Sequence, residues 1–283
     1  MPGTLYARLR ARRRVLISDV DGTLLEGAKA GRGCAALADC LRLRQAALVL
    51  ATGRDLTLTL EACRELMAAG LPSPDALVCS VGSEIYLGEA DQADERWASH
   101  IAEGWDLRGV RAALTGVAGL TPQGDAAQRA FKASYFFTLN GKSTTGGPSH
   151  GGAVAEPERV SAPQAKAVTA AARRALEAAG LAARLIASAD SFLDVIPARA
   201  SKGAAASWLV SMAAIDPRGV VVAGDSGNDR EMLLAEIGGE PVRAVVVGNH
   251  EPELDDIAGR GNVYMAERFA AAGVLEGLIA HGW

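Results

Sequence analysis

An apolar run, Val15-Leu16-Ile17-Ser18, ends in two aspartates one residue apart, and a Gly22-Thr23 turn follows at once. In a strand, residues i and i+2 point to the same side, so Asp19 and Asp21 start with their carboxylates facing one way. Where the chain leaves the sheet, both can face the crevice in which open α/β sheets bind ligands. One carboxylate can attack while its neighbour handles protons, and together they can recruit a divalent cation. A second signal is Ala51-Thr52-Gly53-Arg54-Asp55, in which a Thr hydroxyl and the N–H groups of a Gly turn at a helix start can hold phosphate oxygens. A third is Ser201-Lys202-Gly203, whose ammonium can neutralise a phosphate or an attacking carboxylate. The fourth, Gly224-Asp225-Ser226-Gly227-Asn228-Asp229, places two acids and an amide on a tight turn after Val-Val-Val-Ala. That donor set suits a hard cation such as Mg²⁺, which takes few protein carboxylates and leaves positions for water and phosphate. A polar turn with a helix cap accounts for Asp229 but less well for Asp225 and Asn228.

All four signals fall at strand ends or helix starts, so the elements around them must form one crevice. Strands are expected at 15–19, 46–51 and 76–80, with helices at 31–44 and from Leu56 to Ala69, closing at Gly70. The alternation returns with a helix after Lys202, a strand at 219–223, a helix from Asp229 and a strand at 243–247. Such alternation implies a parallel sheet flanked by helices. The middle differs: it holds Trp97, Trp105, Phe131, Tyr135, Phe136 and Phe137, a β-like run at 131–139 and a helical stretch at 164–179. Residues 140–163, rich in Gly, Ser, Thr and Pro, read as a loop. The expected organisation is α/β, with a Rossmann-like core from residues 1–87 and 196–283 and an α+β domain, 88–195, inserted into it.

The net charge of −4 over 283 residues argues against nucleic acid as the main partner. The basic run Arg8, Arg10, Arg12, Arg13, Arg14 reads as a solvated N-terminal arm. No apolar stretch reaches membrane-spanning length, the run after those arginines is too short for an export signal, and the four cysteines lack Cys-x-x-Cys spacing. A cytoplasmic protein with free thiols is the expectation. Gly141-Lys142-Ser143 imitates the tail of a phosphate-binding loop, but Phe136 stands where that loop needs its first glycine. The histidines are scattered and suggest no metal cluster.

The order Asp-x-Asp-Gly-Thr, Thr-Gly-Arg, Lys and Gly-Asp-x-x-x-Asp resembles the haloacid dehalogenase superfamily, whose members are mostly Mg²⁺-dependent phosphatases. Val81–Tyr86, Asp94–Trp97 through Glu103–Trp105, Phe131–Tyr135, Leu193–Pro197 and Gly248–Leu254 extend the resemblance to the sucrose-phosphate phosphatase family from near residue 15 onward. The Arg-rich start and the 140–163 stretch depart from it.

The resemblance implies a haloacid dehalogenase core with an inserted α+β cap of the C2 (IIB) type that selects the substrate. It implies that Asp19 forms an aspartyl-phosphate and that Asp21 protonates the leaving sugar oxygen, then activates water. Mg²⁺ is expected between the Asp19 carboxylate, the Asp21 carbonyl and Asp225. Thr52, Gly53, Lys202 and Asn228 are expected on the phosphate, and Asp229 is expected to orient Lys202 or a metal-bound water. Arg54, Glu84, Lys132, Ser134 and Asp190 are candidates for the substrate. The implied reaction is hydrolysis of sucrose 6-phosphate, with mannosylfructose phosphate, glucosylglycerol phosphate or a wider range of sugar phosphates as alternatives. A catalytically silent module bound to a glycosyltransferase is the contrasting expectation; such a synthase is also the expected partner of an active enzyme.

Overall fold

The strand Val15–Ser18 is buried along its whole length, which is why it is apolar on both faces rather than alternating. The computed structural model that contains it describes residues 3–27, 29–88, 90–138, 159–188 and 190–283. The chain runs α1 (Gly3–Arg10), β1 (Val15–Ser18), α2 (Cys34–Leu43), β2 (Ala47–Ala51), α3 (Leu56–Ala68), β3 (Ala76–Cys79), β4 (Glu84–Leu87) and α4 (Glu95–Ile101). It continues through α5 (Leu107–Leu114), β5 (Leu120–Pro122), β6 (Ala133–Phe137), α6 (Ala162–Ala178), β7 (Ala183–Ser188) and β8 (Phe192–Pro197). It returns with α7 (Lys202–Met212), β9 (Val220–Gly224), α8 (Arg230–Leu233), β10 (Arg243–Val246), β11 (Val263–Met265) and α9 (Ala270–Ala280).

Two compact units result, one of residues 1–98 with 201–283 and one of residues 99–200. The first keeps residues 88–98 and the second keeps 196–200, both across the borders expected from sequence. The first unit holds a seven-stranded sheet in the order β11-β10-β9-β1-β2-β3-β4, parallel except for β4, which runs antiparallel to β3. Val15 pairs with both Ala47 and Val220. The chain therefore builds outward from β1 in one direction, leaves, and returns on its other side. The crevice at that reversal lies beside the C-terminal ends of β1, β2 and β9, where the aspartates, Thr52 and Asp225 emerge. Leu16, Leu48, Leu50 and Val221 pack with α2, α3 and α9 in one core cluster. α7 and α8 pack on strands of the same sheet through residues outside that cluster.

The second unit is an antiparallel sheet, β5-β6-β8-β7, with α5 and α6 on one face. Its core joins Ala133, Tyr135, Phe137, Leu193 and Val195 to Val110, Leu114, Val168, Ala172 and Leu176. By the period of two, Ser134, Phe136, Phe192 and Asp194 stand on the opposite face.

The structure corrects several expectations. The arginine-rich start is not a solvated arm: α1 is a helix with Tyr6 and Leu9, three apart, buried at 4% and 1% exposure, while its arginines stay outside. The expected helix from Asp229 shrinks to the four residues of α8, because the chain turns into a short ribbon at Glu236–Ile237 and Glu240–Pro241 around Gly238-Gly239. α2 begins later than residue 31 because Gly33 sits at φ 91°, outside helical geometry. The strand expected at 131–139 covers Ala133–Phe137, and Arg129 and Lys132 form a bridge ahead of it. Residues 140–158 of the expected loop, with Gly141-Lys142-Ser143, lie outside the described residues. All four cysteines are free; burial pushes the Cys63 thiol up to about 11 and the Cys79 thiol up to about 12. Among the described residues, no helix is long and apolar enough to cross a membrane.

Candidate active site

Lys202 is the hub of the site. Ser201 caps α7 by accepting the Ala204 N–H at 2.9 Å, which makes Lys202 the first helical residue and turns its stem inward to 1% exposure. Its Nζ donates to Asp19 Oδ1 at 2.6 Å, Asn228 Oδ1 at 2.6 Å and Asp229 Oδ1 at 2.7 Å. An ammonium has three donors, and all are used.

Asp19 follows β1 directly, its N–H donating to the Ala223 carbonyl at 2.9 Å. Asp229, fully buried, turns its other oxygen to the N–H groups of Asp225 and Ser226 at 3.1 and 3.2 Å and to the Ser226 hydroxyl. It thus orients Lys202 and shapes the turn at once. Asp225 accepts the Thr23 hydroxyl at 2.8 Å. Gly22, at φ 81°, lies so close that an added Cβ would stand 2.2 Å from Asp225 Oδ2. Asn249 holds this turn by donating to the Gly22 carbonyl at 2.7 Å. The Glu251 N–H meets the Asp225 carbonyl at 2.7 Å.

Oxygens of Asp19, Asp225 and Asp229 lie within 4.8 Å of one another. Burial, then repulsion from Asp229, pushes the Asp19 carboxyl well above the usual range. The same two causes, in the same order, push Asp225 up to about 6. Lys202 rises as well, because attraction to Asp19 and Asp229 outweighs its burial. Asp19, although bonded to the ammonium, and Asp225 beside it both hold protons more tightly than usual, so the cluster is short of positive charge. A hard divalent cation with oxygen ligands supplies that charge, so the donor set fits one.

Thr52 is buried after β2, and its hydroxyl accepts the Arg54 N–H at 3.1 Å. Arg54 forks onto Asp21, Nε to Oδ2 at 2.8 Å and Nη2 to Oδ1 at 2.6 Å. Asp21 therefore stands outside the three-acid cluster, paired with a guanidinium that the sequence had suggested for the substrate. Glu84 accepts the Ser80 hydroxyl at 3.1 Å.

In the second unit, Ser134 donates to Asp194 Oδ1 at 2.6 Å, and Lys132 Nζ stands 3.8 Å from Asp194 Oδ2. Lys132 and Ser134 are thus brought together. Asp190 is not: it is exposed, at φ 51°, before β8, whereas Lys132 precedes β6, and antiparallel pairing puts the two at opposite ends of that ladder. Sequence reasoning missed Thr23, Ser226, Asn249 and Asp194. Asp194 carried a signal, since period two places it on the face of Phe192 rather than in the core.

The sequence pattern of the Sucrose-6F-phosphate phosphohydrolase family matches residues 12–145 and 159–282. The chain belongs to this family. A mannosylfructose-phosphate phosphatase of Agrobacterium fabrum is 31% identical over 270 residues, 94% of this chain and 95% of that enzyme. Sucrose-phosphatase 1 of Nicotiana tabacum is 29% identical over 73% of this chain, which spans 42% of the plant enzyme. Among solved structures, the sucrose-phosphatase of Synechocystis sp., in complex with sucrose and phosphate, superposes with a TM-score of 0.75 at 28% identity, covering 95% of this chain and 98% of that one. The first unit is accordingly a Rossmann-like haloacid dehalogenase core. The activity is that of a phosphoric monoester hydrolase acting on a sugar phosphate.

Proposed function

We propose that this chain hydrolyses the phosphate ester of a disaccharide, sucrose 6-phosphate first, with Mg²⁺ and with Asp19 as nucleophile. One observation carries the assignment of roles: a buried lysine draws Asp19, Asn228 and Asp229 onto one nitrogen beside Asp225. Asp19, the Asp21 carbonyl and Asp225 are the groups that would hold Mg²⁺, which when bound offsets the repulsion between an anionic nucleophile and a dianionic substrate.

An Asp19 oxygen attacks phosphorus, the bond from phosphorus to the sugar oxygen breaks, and that oxygen takes its electron pair and a proton from Asp21. Asp21 then takes a proton from water, which attacks phosphorus and releases Asp19. For both transfers the Arg54 fork on Asp21 opens and the guanidinium turns to the incoming substrate. Thr52, the Gly53 N–H, Lys202 and Asn228 position the phosphoryl oxygens. We read the second unit as the part that recognises the sugar, through Lys132, Ser134 and Asp194. The reaction that supplies such a substrate is transfer of a glycosyl group to a sugar phosphate, so a glycosyltransferase is the partner to seek.

Mannosylfructose phosphate is the second reading, favoured by the match over nearly the whole of both chains. The test is Mg²⁺-dependent phosphate release from both disaccharide phosphates beside a panel of monosaccharide phosphates. A preference of at least ~100-fold in kcat/KM for sucrose 6-phosphate, about 2.7 kcal/mol of discrimination, is the expected result. The same preference for mannosylfructose phosphate moves the assignment to that substrate. Equal low rates across the panel sink both, and no release at all leaves the silent binding module.

A further inference from the structure

Ser80, Val81 and Gly82 follow one another in the left-handed region, at φ 52°, 59° and 93°. For a β-branched residue such as Val81 that conformation is costly, so the surrounding structure must hold it. The Ser80 N–H donates to the Arg54 carbonyl at 2.7 Å and the Val81 N–H to the Thr52 carbonyl at 3.1 Å. On its other side the turn meets the start of α7: a Cβ on Gly82 would fall 2.2 Å from the Ser201 carbonyl and 2.6 Å from the Lys202 nitrogen. One strained turn therefore gauges the spacing between the Thr52–Arg54 loop and Lys202.

The turn is itself tied back through a closed circuit. Trp97, 1% exposed, donates its indole N–H to the Gly82 carbonyl at 3.1 Å and packs its ring on Trp208, 5.5 Å between centroids. Trp208 lies on α7, the helix that begins with Lys202. Its indole N–H donates to the Tyr6 hydroxyl at 3.2 Å, and that hydroxyl donates to Asp94 Oδ2 at 2.5 Å. The other oxygen of Asp94 accepts the N–H groups of Arg96 and Trp97 at 2.8 and 3.2 Å, which closes the circuit. Arg10 adds a bond from α1 to the Ala213 carbonyl, at the far end of α7. α1 precedes residue 12, where the match to the family begins.

We propose that Tyr6 and Trp97 are positioning residues for catalysis: the α1–Trp208–Trp97–Gly82 circuit fixes where Lys202 stands relative to Thr52 and Asp19. A lysine that must place three hydrogen bonds on three separate oxygens tolerates little drift of its helix, and small misplacements are expensive in rate. The inference rests on the role given above to Lys202.

The test compares Tyr6→Phe and Trp97→Phe, which keep a ring and remove one donor, with Tyr264→Phe as a control. Tyr264 makes a similar bond to Glu276 at 3.0 Å, between β11 and α9. Turnover of p-nitrophenyl phosphate with Mg²⁺ is measured well below the melting temperature of every variant. We expect kcat to fall about 10-fold in Tyr6→Phe and Trp97→Phe with KM within about twofold, while Tyr264→Phe lowers Tm and keeps kcat. Unchanged kcat in folded Tyr6→Phe, or an equal fall in Tyr264→Phe, overturns the proposal. Tyr6→Phe decides alone if Trp97→Phe does not fold. Lys202→Ala separates the two levels: full turnover there removes the role of Lys202 and this inference with it, whereas loss there with intact Tyr6→Phe removes the inference alone.

Discussion

At the scale of single residues, the site is a problem in charge that the protein alone leaves unbalanced. Asp19 and Asp225 have raised pKa values, Asp225 from an ordinary 3.8 to about 6. Each therefore binds protons more tightly folded than unfolded. A carboxyl raised in this way favours folding at low pH, and its contribution is lost as pH climbs from about 4 through about 6. Asp19 and Asp225 would hold a divalent cation in place of the proton, and its charge would restore what was lost. The melting temperature of the metal-free protein should therefore fall across that interval, and the gain on adding Mg²⁺ should be larger at pH 7.5 than at pH 5, roughly by the linkage between a ligand and the folded state. A gain independent of pH would dissociate Mg²⁺ from these carboxylates. The acids also differ in what their loss should do. Asp19→Asn removes the proposed nucleophile, so Mg²⁺-dependent release should drop below detection. Asp229→Asn leaves the nucleophile and loosens Lys202, so turnover should fall by about 100-fold and stay measurable. Equal rates in the two variants would refute that division.

Elements explain why those residues meet, and Gly22 is where an element can be stopped from doing so. The turn after β1 must pass Asp225 with nothing on its α-carbon, since a Cβ would sit 2.2 Å from a carboxylate oxygen, and φ there is 81°. Gly22→Ala should fold with a lowered Tm and raise the Mg²⁺ concentration for half-maximal activity by about 10-fold, the scale of effects from groups that orient metal ligands. An unchanged Mg²⁺ requirement would show that Asp225 tolerates displacement. Such a turn is legible in sequence because β1, β2 and β9 are buried on both faces and read as uninterrupted apolar runs, and chemistry-bearing residues stand at their ends. α1 was not legible, because five arginines hide the two residues, Tyr6 and Leu9, that bury it. Its reason for being helical lies in α7 and Asp94, far along the chain. The Arg54–Asp21 fork was hidden in the same way: spacing places a side chain at a site but does not say which opposite charge it will choose.

The whole molecule divides into two units with separate cores, and in the proposed reading that division separates chemistry from choice. Every residue to which we assign a hold on phosphorus or an attack on it belongs to residues 1–98 and 201–283. The second unit buries one sheet face under α5 and α6 and keeps on the other a lysine, a serine and an aspartate joined at 2.6 and 3.8 Å. Polar groups set into such a face reject a ligand that leaves them unpaired more strongly than an apolar wall rejects a misfit. If this face reads the sugar, Lys132→Met and Asp194→Asn should lower kcat/KM for the preferred disaccharide phosphate by about 10- to 100-fold while p-nitrophenyl phosphate, which has no hydroxyls to offer, stays within about twofold. Because the unit's core is its own, a folding defect there should show in Tm and not in the ratio between the two substrates. Matching losses on both substrates would return these residues to a structural role. No loss on either would place sugar recognition among Glu84, Arg54 and other residues of the first unit, and the second unit would then lose the role proposed for it.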